Sequence, residues 1–531
     1  MTSSAPWTSG WRKRTWSLLD NEWDVIVVGG GITGAAILHD AAQRGWRALL
    51  VEQRDFAWGA SSRSSKMVHG GLRYIAQGKL GLTRACARER KLLLDEYPEL
   101  VKPLGFVLPT YTGAAPAPWL YRAGLSLYDV LAGQWVHESL SPQQLSLLIP
   151  NLRQADLSGG FRFEEAVTDD ARLVFELIHD AVVEGATAIN YVCAEELLRD
   201  GGRVSGLKIR DVESGAVADV RARFVINATG AWADRLREQV GGEPRIRPLR
   251  GSHLVFPGWR VPLPQAVSKP HPWDGRPVFA LPWEGATIVG TTDHDHEPSL
   301  SDEPSISPHE SAYLMALVDE LFPSLAIRHT DVLSTFAGVR PVIASGKADP
   351  SKESRDHVIW EEDGLVTVTG GKLTTFRLIA RDTLAKIEHT AEGQLSGATA
   401  RPSGRGRRQR RTVSRHITKT GAIARVARPG ELVPIAGTRR LWAELRWAAG
   451  NEAVVHLDDL LLRRVRVGLL LEHGGIEILP RVKEICAEEL GWDDSRWAIE
   501  ADAYLETWNR CYRPPMTDRT DSPESVREYP L

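Results

Sequence analysis

Three cationic side chains, far apart in the sequence, stand in short segments rich in glycine or proline. Arg73, Arg340 and Lys372 each have a glycine or proline within two positions. A phosphate monoester carries nearly two negative charges and arginine can bind it bidentately, whereas a carboxylate would need one such arginine. The spacing does not show that the three cations meet, but a pocket that contained all three would favour a phosphorylated substrate. Tyr74 would then either donate its hydroxyl to the phosphate or serve as a packing residue.

His253, which follows Arg250-Gly251-Ser252, is the candidate acid–base group. A neutral imidazole titrates near working pH and can take the proton that an alcohol loses on oxidation. In the alternative interpretation His253 only hydrogen-bonds the substrate, and Arg340, Lys372 or water manages the proton.

A glycine-rich turn follows an apolar run of strand character near the start of the chain. Gly29, Gly31 and Gly34 have the spacing of a dinucleotide-binding turn, and a helical pattern follows at once. These glycines allow a tight turn, close approach to a pyrophosphate and close helix–strand packing, while the helix start offers N–H groups to phosphates. Glu52 closes a second apolar run and can accept hydrogen bonds from ribose hydroxyls. The arrangement predicts a bound dinucleotide.

Hydrophobic periodicity predicts a mixed α/β framework around these residues. Residues 23–65 have the pattern strand, turn, helix, strand, loop. Helices are predicted over 84–97, 172–185 and from about Thr374, and strands over 188–193, 204–210, 217–227 and 365–369, with further β-structure over 250–300.

Composition divides the chain into successive segments. They are an N-terminal extension (1–22) without an assigned role, a main body (23–390), a basic linker (391–430), a helical C-terminal domain (431–515) and a polar tail (516–531). The linker has clustered arginines and no acidic residue between Gly393 and Gly430. It could contact anionic lipid headgroups or be a solvated spacer. RNA binding is disfavoured because no aromatic residues are interleaved.

Bulk composition excludes several classes of protein. The 531 residues carry a net charge of -3, with 43% hydrophobic and 25% charged residues, so no global field points to nucleic acid. The four cysteines fit no metal or disulfide spacing, which favours a reduced cytoplasmic setting. No apolar run is long enough to span a membrane, so any membrane contact is expected to be peripheral. The run His294–Glu297 is not expected to bind a metal, because adjacent strand residues point to opposite faces.

A set of short motifs recurs in a fixed order between about residues 23 and 385. They are Gly29-Gly30-Gly31-Ile32-Thr33-Gly34, Ser61-Ser62-Arg63-Ser64-Ser65-Lys66, His69-Gly70-Gly71-Leu72-Arg73-Tyr74, Asp169-Asp170-Ala171-Arg172-Leu173, Asn227-Ala228-Thr229-Gly230, Gly251-Ser252-His253, Gly290-Thr291-Thr292-Asp293, Gly338-Val339-Arg340-Pro341 and Gly370-Gly371-Lys372-Leu373-Thr374-Thr375. In this order the chain resembles the FAD-dependent glycerol-3-phosphate dehydrogenases and, more widely, the D-amino-acid-oxidase-like flavoproteins.

The resemblance implies FAD as cofactor and assigns residues to it. The implied cofactor contacts are Gly29, Gly31, Gly34, Glu52, Ser61, Ser62, Ser65, Lys66, His69, Gly70, Ala228, Thr229, Gly230, Gly371, Lys372, Leu373 and Thr374. The polar run 61–66 suits pyrophosphate and flavin edges, although it could be an exposed serine loop. Backbone N–H groups at 370–372 could face the flavin ring and stabilise its reduced anion, or form a plain glycine turn.

The implied fold is α/β, with a doubly wound FAD-binding domain, an interleaved antiparallel-β substrate domain and a helical C-terminal domain. The first two are expected to be discontinuous, because flavin-side motifs lie at both 29–73 and 370–375. The implied catalytic residues are His253, Arg340 and Lys372, and the implied substrate contacts are Arg73, Tyr74, His253, Arg340 and Lys372.

The implied reaction is oxidation of sn-glycerol 3-phosphate to dihydroxyacetone phosphate, with hydride transfer to flavin N5 and electrons passed to a quinone at the inner face of the cell membrane. Oxygen is the alternative acceptor. Two other hypotheses are an amine or 2-hydroxy-acid oxidase of the same superfamily and a flavoprotein without catalytic activity. A homodimer is compatible with the sequence, and no metal or nucleic acid is expected.

Overall fold

A computed structural model describes residues 6–75, 78–344, 346, 353, 356–390 and 421–515, except the side chains of Arg73 and Thr390. Most of the predicted linker 391–430 and the whole predicted tail 516–531 therefore lie outside the described residues.

The described residues form two sheets with helices around them. The strands in chain order are β1 (Trp23–Val28), β2 (Ala48–Val51), β3 (Met67–Val68), β4 (Val101–Tyr111), β5 (Glu138–Leu140), β6 (Leu157–Thr168), β7 (Thr187–Ile189), β8 (Val192–Asp200), β9 (Arg203–Asp211), β10 (Val217–Asn227), β11 (Ile246–Pro257), β12 (Ala266–Pro270), β13 (Pro277–Trp283), β14 (Ala286–Gly290), β15 (His294–Asp295), β16 (Ser334–Ile343), β17 (His357–Glu362) and β18 (Leu365–Gly370).

The helices surround the sheets and form the C-terminal region. They are α1 (Trp11–Trp16), α2 (Ile32–Gln43), α3 (Leu80–Glu96), α4 (Pro118–Ala132), α5 (Pro142–Leu148), α6 (Asp170–Val183), α7 (Ala233–Glu238), α8 (Pro308–Leu321), α9 (Phe376–Thr390), α10 (Trp442–Asn451), α11 (Val467–Leu470), α12 (Leu479–Leu490) and α13 (Asp494–Cys511), with a π-helical turn at Asp459–Arg464. Residues 421–426 are also helical.

The first sheet is built around parallel strands in the order β18-β10-β1-β2-β7, with β17 antiparallel at its edge. Every residue of β1 and β2 is buried, which explains the apolar runs 25–28 and 48–51, because helices cover both faces of a parallel sheet. Helix α2 packs against α6 and α9 beside this sheet. This is the predicted doubly wound domain.

The second sheet is mostly antiparallel and is made from the intervening segments. Its strands follow the order β15-β11-β14-β13-β12-β4-β6-β3, and β16 pairs with β11. Strands of the first sheet come from residues before 52, between 187 and 227, and after 356. The strands of the two sheets therefore alternate along the chain, which agrees with the expected interleaved fold class.

The C-terminal region is helical, as predicted, and shares a hydrophobic core with the second sheet. In that core Leu104 and Leu281 of the sheet lie in one buried cluster with Leu445, Leu460 and Trp508 of the C-terminal helices. The C-terminal region is thus attached by a continuous apolar interface, and burial of such surface is the main force that holds it there.

The N-terminal extension, which had no assigned role, contributes Trp7, Trp11 and Leu19 to the core of the first domain. Trp7 is 3% exposed, and its ring centroid lies 5.2 Å from that of Phe175. The Arg12 guanidinium donates to the Asp211 carboxylate at 2.8 Å. No helix among the described residues is long and apolar enough to cross a membrane.

Candidate active site

A cavity of about 1770 Å³ is lined by segments from both sheets. It exceeds the usual 300–1,000 Å³ of a small-molecule pocket. Strands β1, β10 and β18 are adjacent and parallel, so the turns that follow them meet at one edge of the sheet. All three turns contribute to the cavity wall. This is the position at which open α/β sheets bind ligands.

The glycine turn after β1 is crowded by its neighbours. Gly29 has φ +110°, and a Cβ there would lie 2.6 Å from the carbonyl oxygen of Ala228. A Cβ on Gly34 would overlap the carbonyl oxygen of Gly29. Gly29 and Gly31 line the cavity, whereas Gly34, which is not among the described lining residues, brings helix α2 close to the strand. The turn has the shape of a cradle that only glycine allows.

The start of helix α2 and the end of β2 provide polar groups for a nucleotide. The N-cap residue of α2 is Gly31, which has no side chain to cap the helix, and the Ile32 N–H donates to Ser61 Oγ at 2.9 Å. The Glu52 carboxylate accepts from the N–H groups of Gly30 at 2.6 Å and Arg54 at 2.8 Å. Burial raises the pKa of Glu52 despite these bonds.

The serine loop, residues 61–66, lies half in the cavity wall and half behind it. Ser61 and Ser65 line the cavity. Ser62 and Lys66 are buried and are not among the described lining residues. Lys66 Nζ donates to both carboxylate oxygens of Asp170 at 2.8 Å. Its side chain is therefore part of a buried ion pair behind the wall.

The ion pair with Asp170 does not fully offset the cost of burying the charge of Lys66. Burial, and then the neighbouring charge of Arg466, lower its pKa to about 7, although Asp170 opposes the shift. A neighbouring carboxylate alone would have raised the pKa.

The wall also contains other residues predicted from the motifs. Ala228, Thr229 and Gly230 follow β10 and line the cavity, as does His69. Gly70 lies behind the wall, where its N–H donates to Glu165 Oε2 at 2.7 Å.

The turn after β18 supplies the far side of the cavity. Gly371, Lys372, Leu373 and Thr374 line it just before helix α9. Gly371 has φ +75°, a conformation that favours glycine. The Lys372 ammonium lies 3.4 Å from the ring centroid of Tyr74, which also lines the cavity. Arg73 lies beside Tyr74 in a short 3-10 turn, and its side chain lies outside the described part.

Arg340, on β16, reaches the cavity from the second sheet. Its guanidinium donates to Asp293 Oδ1 at 3.0 Å and to Thr291 Oγ1 at 2.8 Å. Arg340, Lys372 and Tyr74 thus share one cavity, which the sequence spacing did not show.

His253 is fully buried and is not among the described residues that line the cavity. It lies on β11 opposite Phe336 of β16, and the two rings stack with centroids 4.5 Å apart. Its Nε2 lies 2.9 Å from Oγ of Ser65, a residue that lines the cavity. Burial, and then the charges of Arg340 and Lys66, lower the pKa of His253 well below 6.5. The imidazole is therefore neutral and communicates with the cavity through Ser65.

Sequence reasoning missed Arg276, another cation of the wall. Its guanidinium donates to the carbonyl oxygen of Thr291 at 3.0 Å, so Arg276 and Arg340 flank the same residue. Arg276 stands between Gly275 and Pro277. The criterion that selected Arg73, Arg340 and Lys372 would have selected Arg276 as well.

One part of the cavity is apolar. Leu120, Tyr121 and Leu127 of helix α4 line it together with Phe163 of β6. The same helix exposes Trp119 and Val130. The cavity therefore connects a nucleotide-sized polar site to an apolar helix at the surface.

A doubly wound sheet with a glycine cradle, facing an antiparallel sheet with cations, defines the class of two-domain dinucleotide-binding proteins. Comparisons with known proteins agree with this class. Residues 24–384 match the family of FAD dependent oxidoreductases, and residues 419–497 match the C-terminal domain of alpha-glycerophosphate oxidase.

Relatives narrow the assignment. Glycerol-3-phosphate dehydrogenase 2 of Mycobacterium tuberculosis (strain ATCC 25618 / H37Rv) is 34% identical over 518 residues, which cover 91% of this chain and 87% of the relative. Aerobic glycerol-3-phosphate dehydrogenase of Staphylococcus haemolyticus is 34% identical over 491 residues, which cover 84% of this chain and 87% of the relative. The solved structure of glycerol-3-phosphate dehydrogenase from Bacillus halodurans, complexed with FAD, has a TM-score of 0.73 and 27% identity, covering 96% of this chain and 100% of that chain. The chain belongs to the FAD-dependent glycerol-3-phosphate dehydrogenase family.

FAD fits the residues that are present. The glycine cradle leaves room for a pyrophosphate, the start of α2 has a glycine N-cap and offers N–H donors, and Glu52 can accept from ribose hydroxyls. Residues 371–374 line the far side of the same cavity.

Proposed function

We propose that this protein oxidises sn-glycerol 3-phosphate to dihydroxyacetone phosphate with FAD as the acceptor of the hydride. The observation that carries this proposal is the cationic wall of Arg340, Lys372 and Arg276 in the cavity that also contains the glycine cradle. A dianionic phosphate matches several cations, whereas the carboxylate of an amino acid or hydroxy acid would need one. The names of the relatives support the same substrate.

The residues that would hold FAD lie along one side of the cavity. Gly29 and Gly31 would accommodate the pyrophosphate, and Glu52 would bind the adenosine ribose. Backbone N–H groups at 371–374 would face the flavin ring. When bound, the flavin supplies an electrophilic N5 that accepts the hydride from C2 of the substrate.

The substrate phosphate would be bound on the opposite side. Arg340 is held by Asp293 and Thr291, and its guanidinium would bind the phosphate oxygens. Lys372, placed over Tyr74, adds a compact positive charge. Arg73 and the Tyr74 hydroxyl complete the set that the family resemblance implies.

The proton from the substrate hydroxyl would leave through Ser65 and His253. Ser65 Oγ accepts it and passes its own proton to His253 Nε2, 2.9 Å away. The lowered pKa keeps His253 neutral and ready to accept. A bound phosphate would offset the charge of Arg340, one cause of that lowering, and so favour the proton transfer. In the alternative, His253 only hydrogen-bonds the substrate, and Lys372, Arg340 or water manages the proton.

A quinone at the membrane is the electron acceptor that we favour, and oxygen is the alternative. The apolar part of the cavity suits a quinone ring. The neighbouring surface exposes Trp119 (70%), Val130 (68%) and Trp135 (69%), and an exposed patch of this kind marks an interaction site. Together they support peripheral contact with a membrane.

The central test is anaerobic reduction of the purified holoenzyme. Glycerol 3-phosphate should bleach the flavin absorbance, whereas glycerol, glycine and lactate should not. Bleaching by glycine or lactate, with none by glycerol 3-phosphate, would assign the protein to the amine or 2-hydroxy-acid oxidases. Reoxidation by a soluble quinone, measured beside reoxidation by oxygen, then identifies the acceptor.

Arg340→Ala tests the phosphate contact. Because hydrogen bonds to charged groups contribute about 1.5–3 kcal/mol, kcat/KM should fall about 10- to 100-fold, while bound FAD per chain stays unchanged. Arg260→Ala is the matched control, since Arg260 pairs with Asp331 and is not among the described residues of the cavity wall. Equal loss of FAD and of substrate affinity would make Arg340 a structural residue.

A further inference from the structure

Three arginines of the C-terminal region reach into the first domain and are almost completely buried. Arg463 and Arg464 are each 2% exposed, and Arg466 is 0% exposed. Arginine is almost never buried without a partner, so the groups that these three bind are informative. Each of them binds a segment next to the FAD site, about 400 residues earlier in the chain.

The first pair holds the turn that follows Glu52. Arg463 Nε donates to Asp55 Oδ2 at 2.5 Å, and Arg464 donates to both Asp55 oxygens at 2.7 and 2.8 Å. Asn190 Nδ2 adds a further bond to Asp55 Oδ1 at 3.0 Å. Asp55 is therefore held in place three residues after Glu52, the residue expected to bind the adenosine ribose.

Arg466 holds the serine loop from behind. Its guanidinium donates to the carbonyl oxygen of Ser62 at 3.0 Å and to Asp170 Oδ1 at 3.1 Å. Asp170 Oδ2 in turn accepts from Ser64 N at 2.9 Å and from Ser64 Oγ at 2.7 Å. Arg466 has φ +69°, a conformation that a non-glycine residue keeps only where its surroundings determine it.

A fourth contact comes from Tyr512, the residue that follows helix α13. Tyr512 donates its hydroxyl hydrogen to Glu303, and Arg63 of the serine loop donates to Glu303 at 2.5 Å and to the Tyr512 hydroxyl at 3.2 Å. Arg63 itself lines the cavity. The C-terminal region thus reaches the serine loop at two separate points.

We propose that the C-terminal region positions the FAD-binding segments 52–55 and 61–66, with Arg466 and Tyr512 as positioning residues for the cofactor. Neither residue is among the described lining residues of the cavity, so both act through the serine loop. The inference rests on FAD as cofactor and not on the identity of the substrate.

The alternative is that these arginines only stabilise the fold. Arg446 is the matched control, because it is 4% exposed and binds Glu431 at 2.6 Å and Glu489 at 2.8 Å, all within the C-terminal region. Removing Arg446 also breaks a buried ion pair, which destabilises a protein strongly, but it leaves the FAD-binding segments alone.

The experiment compares full-length Arg466→Met and Arg446→Met holoenzymes with the parent protein. Dissociation of FAD from diluted holoenzyme is followed by flavin fluorescence, and Tm is measured in parallel. Losing the charge-assisted bonds of Arg466 should raise the Kd for FAD about tenfold or more and alter the visible flavin spectrum. Arg446→Met should lower Tm while its Kd for FAD stays within about twofold of the parent.

An unchanged Kd in Arg466→Met, or an equal rise in both variants, would overturn the proposal. If Arg466→Met does not fold, Tyr512→Phe serves instead, since it removes one hydroxyl and keeps the ring. It should raise the Kd for FAD about threefold and shift the flavin spectrum, and a Kd and spectrum equal to the parent's would overturn the proposal. A failed substrate assignment would leave these FAD measurements unaffected.

Discussion

Ser65 lines the cavity, and its hydroxyl oxygen lies 2.9 Å from Nε2 of the buried His253. If the two residues form one proton path, removing either should remove the same step. His253→Gln and Ser65→Ala should each lower kcat about 100-fold, and the double variant should lose no more than either single variant. Steady-state kinetics of the three variants form a double-mutant cycle that measures this coupling.

Ser64→Ala is the control for that cycle. Ser64 lines the same cavity but bonds Asp170, so its variant keeps the contact between Ser65 and His253. Fully additive losses in Ser65→Ala and His253→Gln would show that the two side chains act independently, and the proton would then leave by Lys372, Arg340 or water.

Arg276 makes a second prediction at the scale of single residues. Because it flanks Thr291 opposite Arg340, we expect it to bind the substrate phosphate. Arg276→Gln should lower kcat/KM for glycerol 3-phosphate about 10- to 100-fold, since a hydrogen bond to a charged group contributes about 1.5–3 kcal/mol. FAD content, read from the flavin absorbance, should not change. A KM equal to that of the parent protein would show that Arg276 does not bind the substrate phosphate.

The sequence indicates single residues most directly where the backbone itself makes a turn. The glycines of the turn at 29–34 and of the turn at 370–371 are required by local conformation, and local conformation is visible in sequence. Lys66 shows the limit. Its serine-rich surroundings suggested a cofactor contact, but its partner Asp170 lies about 100 residues away, and no local pattern reveals that pairing.

At the scale of elements, the contact between helix α2 and strand β1 depends on Gly34. A Cβ at this position would overlap the carbonyl oxygen of Gly29, and the backbone of the turn would have to move. Gly34→Ala should therefore lower Tm and weaken FAD binding, because overpacking costs about 1–3 kcal/mol. Thermal unfolding and FAD titration check both effects.

Gly81→Ala is the matched control. Gly81 lies in helix α3, and a Cβ there would meet nothing within 4 Å. Replacing such a glycine should stabilise the helix by about 0.5–1 kcal/mol. A Gly34→Ala variant that is as stable as the parent and keeps its full FAD content would contradict the close approach of Gly34 to the Gly29 carbonyl oxygen.

Elements with one strong local pattern were predicted, and elements with a broken pattern were not. The predicted strand 188–193 is two strands, β7 and β8, because Tyr191 between them has φ +55°. Helices α4 and α8 were not predicted, although both begin with a proline in the first turn, a recognised helix start.

At the scale of the whole molecule, the sequence did not predict the contacts between segments that are distant in the chain. Trp7 packs on Phe175, and Asp55 binds Arg463 and Arg464. These contacts are few, specific and distant in the chain, whereas periodicity reports only on neighbours within a turn or a strand. The resemblance gave the order of the domains, but the contacts that lock them together required the structure.

His456 makes one of these contacts between distant segments. Its Nε2 lies 3.0 Å from Glu213, which follows β9, and its Nδ1 lies 3.0 Å from Glu500 of helix α13. Burial would lower the pKa of His456, but the hydrogen bonds to Glu213 and Glu500 outweigh it and raise the pKa to about 10. The folded protein therefore keeps this histidine protonated well above the ordinary pKa of about 6.5 in the unfolded chain.

A group whose pKa is raised by folding contributes stability that is complete below its unfolded pKa and is lost as pH approaches its folded pKa. The difference in Tm between the parent protein and His456→Gln should therefore be largest near pH 6 and should shrink steadily toward pH 10. Thermal unfolding of both proteins at a series of pH values measures this difference and cancels titrations that they share. A difference independent of pH would mean that His456 is neutral in the folded protein, and that packing rather than charge holds the C-terminal region to β9.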